Sequence, residues 1–159
     1  MLTNLLPELE KSIVGILDKD NHICGTGFFA NKETIFTCAH VITNAGYTLD
    51  SNVLVRLHLT GEVIHAHIVT TAWRSPNDED IAYLKVVAEI PEHPRTFSFG
   101  SSEQTGNHTF RTFGYPDFGN IQGVWGTGSI KGIVKDQQDR FFIQLSSPEL
   151  ANGMSGSPI

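Results

Sequence analysis

Long apolar runs are missing from this 159-residue sequence, and none approaches the roughly 18 apolar residues of a membrane-spanning helix. The opening "MLTNLLPELEK" also lacks the basic start and apolar centre of a secretory signal. We therefore expect no membrane association and a cytoplasmic location. Hydrophobic residues still make up 40% of the chain, so a folded core is expected and a disordered chain is not.

Clusters of basic residues are missing too. The chain has 11 Lys and Arg against 17 Asp and Glu, a formal net charge of −6, and each basic residue stands alone. Binding to a phosphate backbone relies on grouped Lys and Arg side chains. We therefore expect no nucleic-acid partner.

Cysteine is scarce, with only Cys24 and Cys38. An even count permits one disulfide, but a domain of this size does not need one, and outside the secretory route free thiols are favoured. Neither cysteine belongs to a CxxC motif or lies beside a histidine pair at zinc-ligand spacing. The sequence therefore predicts no metal site and no cofactor.

What the chain does have is a series of short apolar–polar alternations separated by turn residues. Leucines at positions 2, 5, 6 and 9 predict a short helix over residues 1–11. The period then changes to two, which is typical of β-strands. Strands are predicted at 12–17, 24–31, 34–42, 53–59, 62–73, 81–87, 108–115, 122–134 and 140–146.

The spacing of these strands favours a barrel or sandwich over alternating strands and helices. A looser stretch at 88–107, with two prolines and two glycines, is the best linker in the chain. We therefore predict the N-terminal helix at 1–11, a first β unit at 12–87, the linker at 88–107 and a second β unit at 108–159.

Three separate fragments carry residues suited to nucleophilic catalysis. Ser155 lies in "NGMSGSPI", where glycines allow a turn that aims two N–H groups at one point beside the hydroxyl. A serine needs a base, and His40 ends the apolar run "TIFTCAHV" on what we predict to be a rigid strand. The imidazole needs an orienting carboxylate, and Asp80 is the last acid before the apolar "IAYLKV".

These fragments also carry a family resemblance. "GTGFFANKETIFTCAHVI", "DEDIAYLKV" and "NGMSGSPI" resemble, in that order, the His, Asp and Ser boxes of the trypsin-like (chymotrypsin-fold) serine proteases. The likeness is to the bacterial branch related to the high-temperature-requirement proteases, and it runs from about Ser12 to the end of the chain. It implies an all-β fold of two six-stranded β-barrels with the active site between them.

The resemblance implies a role for each matching residue. His40 would be the general base, Asp80 its orienting carboxylate and Ser155 the nucleophile, with the N–H groups of Gly153 and Ser155 forming the oxyanion hole. The implied activity is that of a serine endopeptidase, which hydrolyses a protein or peptide substrate through an acyl-enzyme.

The resemblance also implies that something is missing after Ile159, because family members continue through further strands of the second barrel. We expect an incomplete second barrel here, completed by a partner chain or a downstream domain, since open strand edges invite association. Similarity to protease domains at the front of bacterial defence or signalling proteins suggests a larger, regulated protein.

The candidate substrate-binding residues are Glu149 and Asn152. Glu149 precedes Ser155 by six residues, a position that in the family lines the base of the pocket for the side chain before the cleaved bond. A carboxylate there would favour Arg or Lys. An unpaired buried carboxylate is costly, however, so an exposed loop at Glu149 is the alternative.

Two functions from different classes remain open at this point. The first is the serine endopeptidase, and the second is a catalytically silent trypsin-like module that binds a peptide or a protein partner. The intact set of His40, Asp80 and Ser155 favours the enzyme, because a silent copy has no physical need of all three.

Overall fold

The computed structural model describes residues 9–87, 89–90, 95–97, 99–117 and 122–159, and the regular structure of these residues is almost entirely β. The strands are β1 (Ile13–Leu17), β2 (Ile23–Phe29), β3 (Thr34–Thr37), β4 (Asn52–Leu57), β5 (Val63–Ile68), β6 (Ala82–Val86), β7 (Thr109–Gly114), β8 (Val124–Lys135) and β9 (Phe141–Ser146). A short helix, α1, spans Ala39–Asn44, a 3₁₀ turn spans Thr70–Ala72, and residues 9–10 at the start of the described part of the chain are also helical. Most of the helix predicted at 1–11 lies outside the described residues.

The first six strands form a closed antiparallel barrel in the order β1-β2-β3-β6-β5-β4. The alternation of apolar and polar side chains gives this barrel an apolar interior. In β5, for example, every second side chain is buried while His65 and His67 are exposed. The barrel interior is filled with aliphatic side chains and Phe29, each of which contributes about 1.5–3 kcal/mol when fully buried. This rigid barrel is the platform for the residues described below.

The last three strands form a separate antiparallel sheet in the order β7-β8-β9. The expectation of an all-β fold is therefore confirmed, as a closed six-stranded barrel with a second sheet. Strand β9 exposes a row of apolar side chains, Phe141, Phe142 and Ile143. Among the described helices, none is long and apolar enough to cross a membrane.

The prediction of one strand over 34–42 is wrong in its second half. Strand β3 ends at Thr37, Cys38 is extended, and α1 begins at the next residue. The β-branched residues in this stretch favour a strand, but a helical turn buries Ala39, Val41 and Ile42 against the barrel. Similarly, the run predicted at 62–73 ends as a strand at Ile68 and continues into the 3₁₀ turn.

A histidine and a tyrosine join the barrel to the second sheet. His58 directly follows β4, and its Nδ1 lies 2.8 Å from the Tyr115 hydroxyl, just after β7. Burial lowers the pKa of His58 despite the opposing charge of Glu10, and burial also raises the pKa of Tyr115 well above its usual range. At neutral pH the Tyr115 hydroxyl therefore donates to an uncharged imidazole.

This contact predicts a pH-dependent stability. Because the folded protein holds the pKa of His58 below its unfolded value of about 6.5, the unfolded chain binds more protons as the pH falls. Stability from this contact is present above about pH 6.5 and is lost as the pH falls towards the folded pKa. We expect the free energy of unfolding of His58→Gln to fall less steeply than that of the wild type as the pH is lowered from 7.5 to 5, measured by urea unfolding. For one proton the difference in slope is at most about 1.4 kcal/mol per pH unit.

The matched control is His67→Gln, which removes an exposed histidine from the outer face of β5. This variant is expected to keep the wild-type pH slope. Equal slopes for His58→Gln and the wild type would contradict the assignment.

Candidate active site

Asp80 and His40 meet at the start of helix α1. The Asp80 main-chain oxygen accepts from the Ala39 N–H (3.3 Å), and its Oδ1 accepts from the His40 N–H (2.8 Å). The other carboxylate oxygen, Oδ2, lies 2.6 Å from His40 Nδ1. Asp80 therefore satisfies the first two amides of the helix and the imidazole together, although it is 40 residues away in sequence.

The backbone of Asp80 makes this arrangement possible. Its φ of 55° lies in the left-handed region, which aspartate adopts more readily than most residues. The loop before it is closed by a hydrogen bond from the Asp80 N–H to the Ser75 oxygen (3.1 Å) and by the bridge between Arg74 and Ile81. The carboxylate is thus presented to His40 by a closed loop.

The hydrogen bond between the two side chains sets the chemistry of the imidazole. An ionised carboxylate can only accept, so His40 Nδ1 carries the proton and Nε2 keeps a free lone pair. The His40 and Asp80 side chains are 35% and 30% exposed, so the pair is reachable from solvent. The arrangement can accept a proton at Nε2 and stabilise the resulting imidazolium.

Ser155 lies in a loop that requires glycine on both sides. Gly153 has a φ of 90°, and a Cβ there would lie 2.5 Å from the Tyr115 oxygen. Gly156 has a φ of 87°, and a Cβ there would collide with the Thr26 carbonyl oxygen. Larger residues at either position would therefore displace the loop.

The same loop holds two N–H groups that have no acceptor among the described residues. The Met154 N–H donates to the Ala151 oxygen and the Ser157 N–H donates to the Met154 oxygen. By contrast, the N–H groups of Gly153 and Ser155 donate to no other described residue. Two unused amides beside a serine hydroxyl can stabilise a developing negative charge on an oxygen.

Thr26, in β2, is a residue that the sequence reasoning missed. It is fully buried, its N–H donates to the Ser155 oxygen (2.9 Å), and its hydroxyl donates to the Gly153 oxygen (3.3 Å). The same hydroxyl accepts from the Tyr115 N–H (2.9 Å). Thr26 thus holds the Ser155 loop against the barrel. The sequence feature that could have identified it is a polar residue between two glycines in an apolar strand.

His40 and Ser155 share one cavity of about 470 Å³. Its lining consists of His22, Ile23, Cys24, His40, Asn44, Asp117, Asn152, Gly153 and Ser155. Of the two candidate substrate-binding residues, Asn152 lines this cavity and Glu149 does not. Glu149 is exposed, and its carboxylate accepts from the N–H (2.7 Å) and hydroxyl (2.8 Å) of Thr127, which lower the pKa of Glu149.

The two cysteines are free thiols, as the sequence predicted. Cys24 lines the cavity, whereas Cys38 is partly buried and does not line it. Burial, and after it the charge of Asp80, raise the pKa of Cys38 to about 11, while a backbone hydrogen bond from Gly156 acts in the opposite direction. The Cys38 side chain is therefore an uncharged thiol at neutral pH.

The described residues form a closed β-barrel and a second sheet, and a histidine–carboxylate pair shares a cavity with a glycine-flanked serine. Together these features are typical of hydrolases that use serine as a nucleophile. Residues 25–159 match the trypsin-like peptidase domain family. The chain belongs to this family and is a trypsin-like serine protease.

Solved structures share the fold. Rv3671c from M. tuberculosis, as an inactive serine-to-alanine mutant, matches with a TM-score of 0.69 and 22% identity over 97% of this chain and 71% of that one. The HtrA-type protease AlgW with a decapeptide matches with a TM-score of 0.70 and 18% identity over 98% and 54%. The Rv3671c protease in its inactive form matches with a TM-score of 0.67 and 22% identity over 97% and 74%. Among curated proteins, no sequence matches this chain.

Proposed function

We propose that this chain is a serine endopeptidase in which Ser155, His40 and Asp80 act as the catalytic triad. The observation that carries the proposal is the 2.6 Å hydrogen bond between His40 Nδ1 and Asp80 Oδ2, made by a histidine that shares its cavity with Ser155. A neutral imidazole held in this tautomer is the base that a serine hydroxyl needs at neutral pH.

The first half of the reaction forms the acyl-enzyme. His40 Nε2 takes the Ser155 proton as the oxygen attacks the peptide carbonyl, and Asp80 stabilises the imidazolium. The oxyanion accepts hydrogen bonds from the N–H groups of Gly153 and Ser155, which have no other described acceptor. His40 then gives its proton to the leaving amine, and the acyl group stays on Ser155 as an ester.

The second half uses water as the nucleophile. His40 removes a proton from the water as it attacks the ester, and the same two N–H groups stabilise the second oxyanion. Collapse returns the proton to Ser155 and releases the acid. Thr26 keeps the loop in place through both halves, because it bonds to the carbonyl oxygens of Gly153 and Ser155.

The proposed substrate is a peptide or an extended protein segment. The structurally similar AlgW is described with a decapeptide, which supports this class of ligand. Asn152 is the candidate contact from the sequence that lines the cavity, so we assign it to substrate binding. Completion of the second sheet by a partner chain or downstream domain stays a prediction, which is supported by the exposed apolar residues of β9. The cytoplasmic location also stays a prediction.

Labelling with a fluorophosphonate tests the proposal directly. We expect a covalent adduct on Ser155, located by mass spectrometry of the digested protein, because the reagent traps only a serine activated by its base. Ser155→Ala and His40→Ala are expected to remove the adduct.

The matched control is Ser157→Ala in the same loop. The Ser157 hydroxyl is buried and has no hydrogen-bond partner among the described residues, so its removal costs little and should leave labelling intact. A folded protein that shows no adduct on Ser155 would favour the silent binding module instead. Persistent labelling in His40→Ala would contradict the proposed base.

A further inference from the structure

A third side chain stands beside the His40–Asp80 pair. Cys38 follows β3 and immediately precedes α1, and the ligand atoms of Cys38, His40 and Asp80 all lie within 4.8 Å of one another. The cluster could not be recognised from the sequence, because the cysteine and histidine are only two residues apart and the third group comes from a distant loop. The proposed catalytic cycle makes no use of the thiol.

We propose that Cys38, His40 and Asp80 form a site for a single zinc ion, and that zinc bound there switches off the base. Binding of the ion rests on the cluster alone, whereas its inhibitory effect rests on the proposed function. Thiolate, imidazole and carboxylate are the three donor types that zinc takes in proteins, and three protein ligands with one water complete a tetrahedron.

The His40–Asp80 pair needs only a small adjustment to hold the ion, and the Cys38 sulfur already lies within 4.8 Å of both ligand atoms. With Zn–N and Zn–O distances of about 2.0–2.2 Å, tetrahedral geometry separates the nitrogen and oxygen ligands by about 3.3 Å. His40 Nδ1 and Asp80 Oδ2 are 2.6 Å apart now, so the pair must open by about 0.7 Å. Both side chains are about one-third exposed, which leaves room for this movement and for the water ligand.

The proton balance explains why zinc would inhibit. The ion replaces the proton on the Cys38 sulfur, which leaves to solvent, and the proton on His40 Nδ1. The neutral imidazole regains its proton at Nε2 from solvent, so that nitrogen becomes a donor. An Nε2 that already carries a proton cannot accept one from Ser155. One proton is released to solvent overall, and no covalent bond between non-hydrogen atoms of the protein is made or broken.

A second cluster supplies a control. Asp18, Asp20 and His22 also bring their ligand atoms within 4.8 Å of one another, on the exposed turn between β1 and β2. This group contains no sulfur, so a thiolate signal cannot arise from it. The other cysteine, Cys24, provides the matched cysteine control because it lines the same cavity as His40.

Cobalt(II) tests binding without any need for activity. In the full chain carrying Ser155→Ala, we expect titrated Co²⁺ to produce a thiolate-to-cobalt absorption band, and we expect added Zn²⁺ to abolish it. The band should disappear in Cys38→Ala and in Cys38→Ser, which preserves side-chain size, and should persist in Cys24→Ala. No band, or a band that survives in both Cys38 variants, would overturn the proposal.

Fluorophosphonate labelling of the chain with Ser155 intact tests the effect of the ion. Zinc is expected to slow labelling, with full recovery after addition of a chelator. In Cys38→Ser the zinc concentration needed should rise about tenfold or more, each variant being compared with its own metal-free rate, since even outer-shell changes cost 10–100-fold in metal affinity. Cys24→Ala and His22→Ala should respond as the wild type does.

The two readouts separate the two proposals. A chain that gives the cobalt band but never labels would contradict the proposed function while supporting the zinc site. A chain that labels equally well with and without zinc and gives no band would contradict the zinc site alone.

Discussion

Asp80→Asn is expected to lower turnover about 10⁴-fold while leaving the fold intact, as loss of the orienting carboxylate does in serine proteases with this triad. The reason lies in the two bonds of the carboxylate. The amide oxygen of asparagine can still accept from the His40 N–H, as Oδ1 does now, so the NH₂ group takes the place of Oδ2 beside Nδ1. An imidazole facing an N–H donor must place its own proton on Nε2, and it then cannot act as the base.

The measurement is the hydrolysis rate of an activated nitrophenyl ester, with circular dichroism and thermal unfolding to check the fold. Asparagine tolerates the left-handed backbone of this position, so strain should not add to the effect. Asp78→Asn, two residues earlier in the same loop and exposed, is the matched control and should keep wild-type turnover. Comparable losses in both variants would show that the loop, and not the carboxylate, is being tested.

Gly153→Ala is expected to reduce turnover by about 10²–10³, the range found when one oxyanion donor is lost. The added Cβ would lie 2.5 Å from the Tyr115 oxygen and 2.6 Å from the Asp117 nitrogen, so the loop has to move. The N–H of residue 153 moves with it and no longer meets the developing oxyanion. The ester assay measures this effect, and the Michaelis constant should change much less than turnover because the donor acts mainly in the transition state.

Gly46→Ala separates backbone strain from collision. Gly46 has a φ of 81°, close to that of Gly153, but a Cβ there would meet no atom within 4 Å. This control should lose about 1–2 kcal/mol of stability through the left-handed backbone and keep its turnover. If both variants retain full turnover, the N–H of Gly153 is not an oxyanion donor.

Much of the fold could be predicted from local pattern. Strands β4 and β5 alternate apolar and polar residues, and period-two alternation with one face buried is a local property of the chain. The same pattern failed after Thr37, where three successive residues of α1, Val41, Ile42 and Thr43, are β-branched and locally favour a strand. Burial against the barrel decided that turn, and burial is a property of the assembled fold.

The candidate site also has features that could be predicted from the sequence and features that depend on the assembled fold. A serine between glycines, a histidine after an apolar run and an aspartate before one could be recognised by type and order alone, because each chemical role demands a particular side chain. Two other features could not be predicted from the sequence: the hydrogen bonds of the exposed Glu149 with Thr127, and those by which Thr26 holds the Ser155 loop. Their partners are distant in sequence.

The sequence by itself therefore determined the all-β architecture and the residue types available for catalysis, because both depend on periodicity and side-chain chemistry. Only the tertiary structure decided that Asp80 holds both the amide and the ring of His40, that Thr26 bonds to a loop 127 residues away, and that Cys38 joins the cluster. The physical reason is that hydrogen bonds and ligand sites need distances of a few ångströms between particular atoms. Such distances arise only when the barrel closes and the second sheet docks against it.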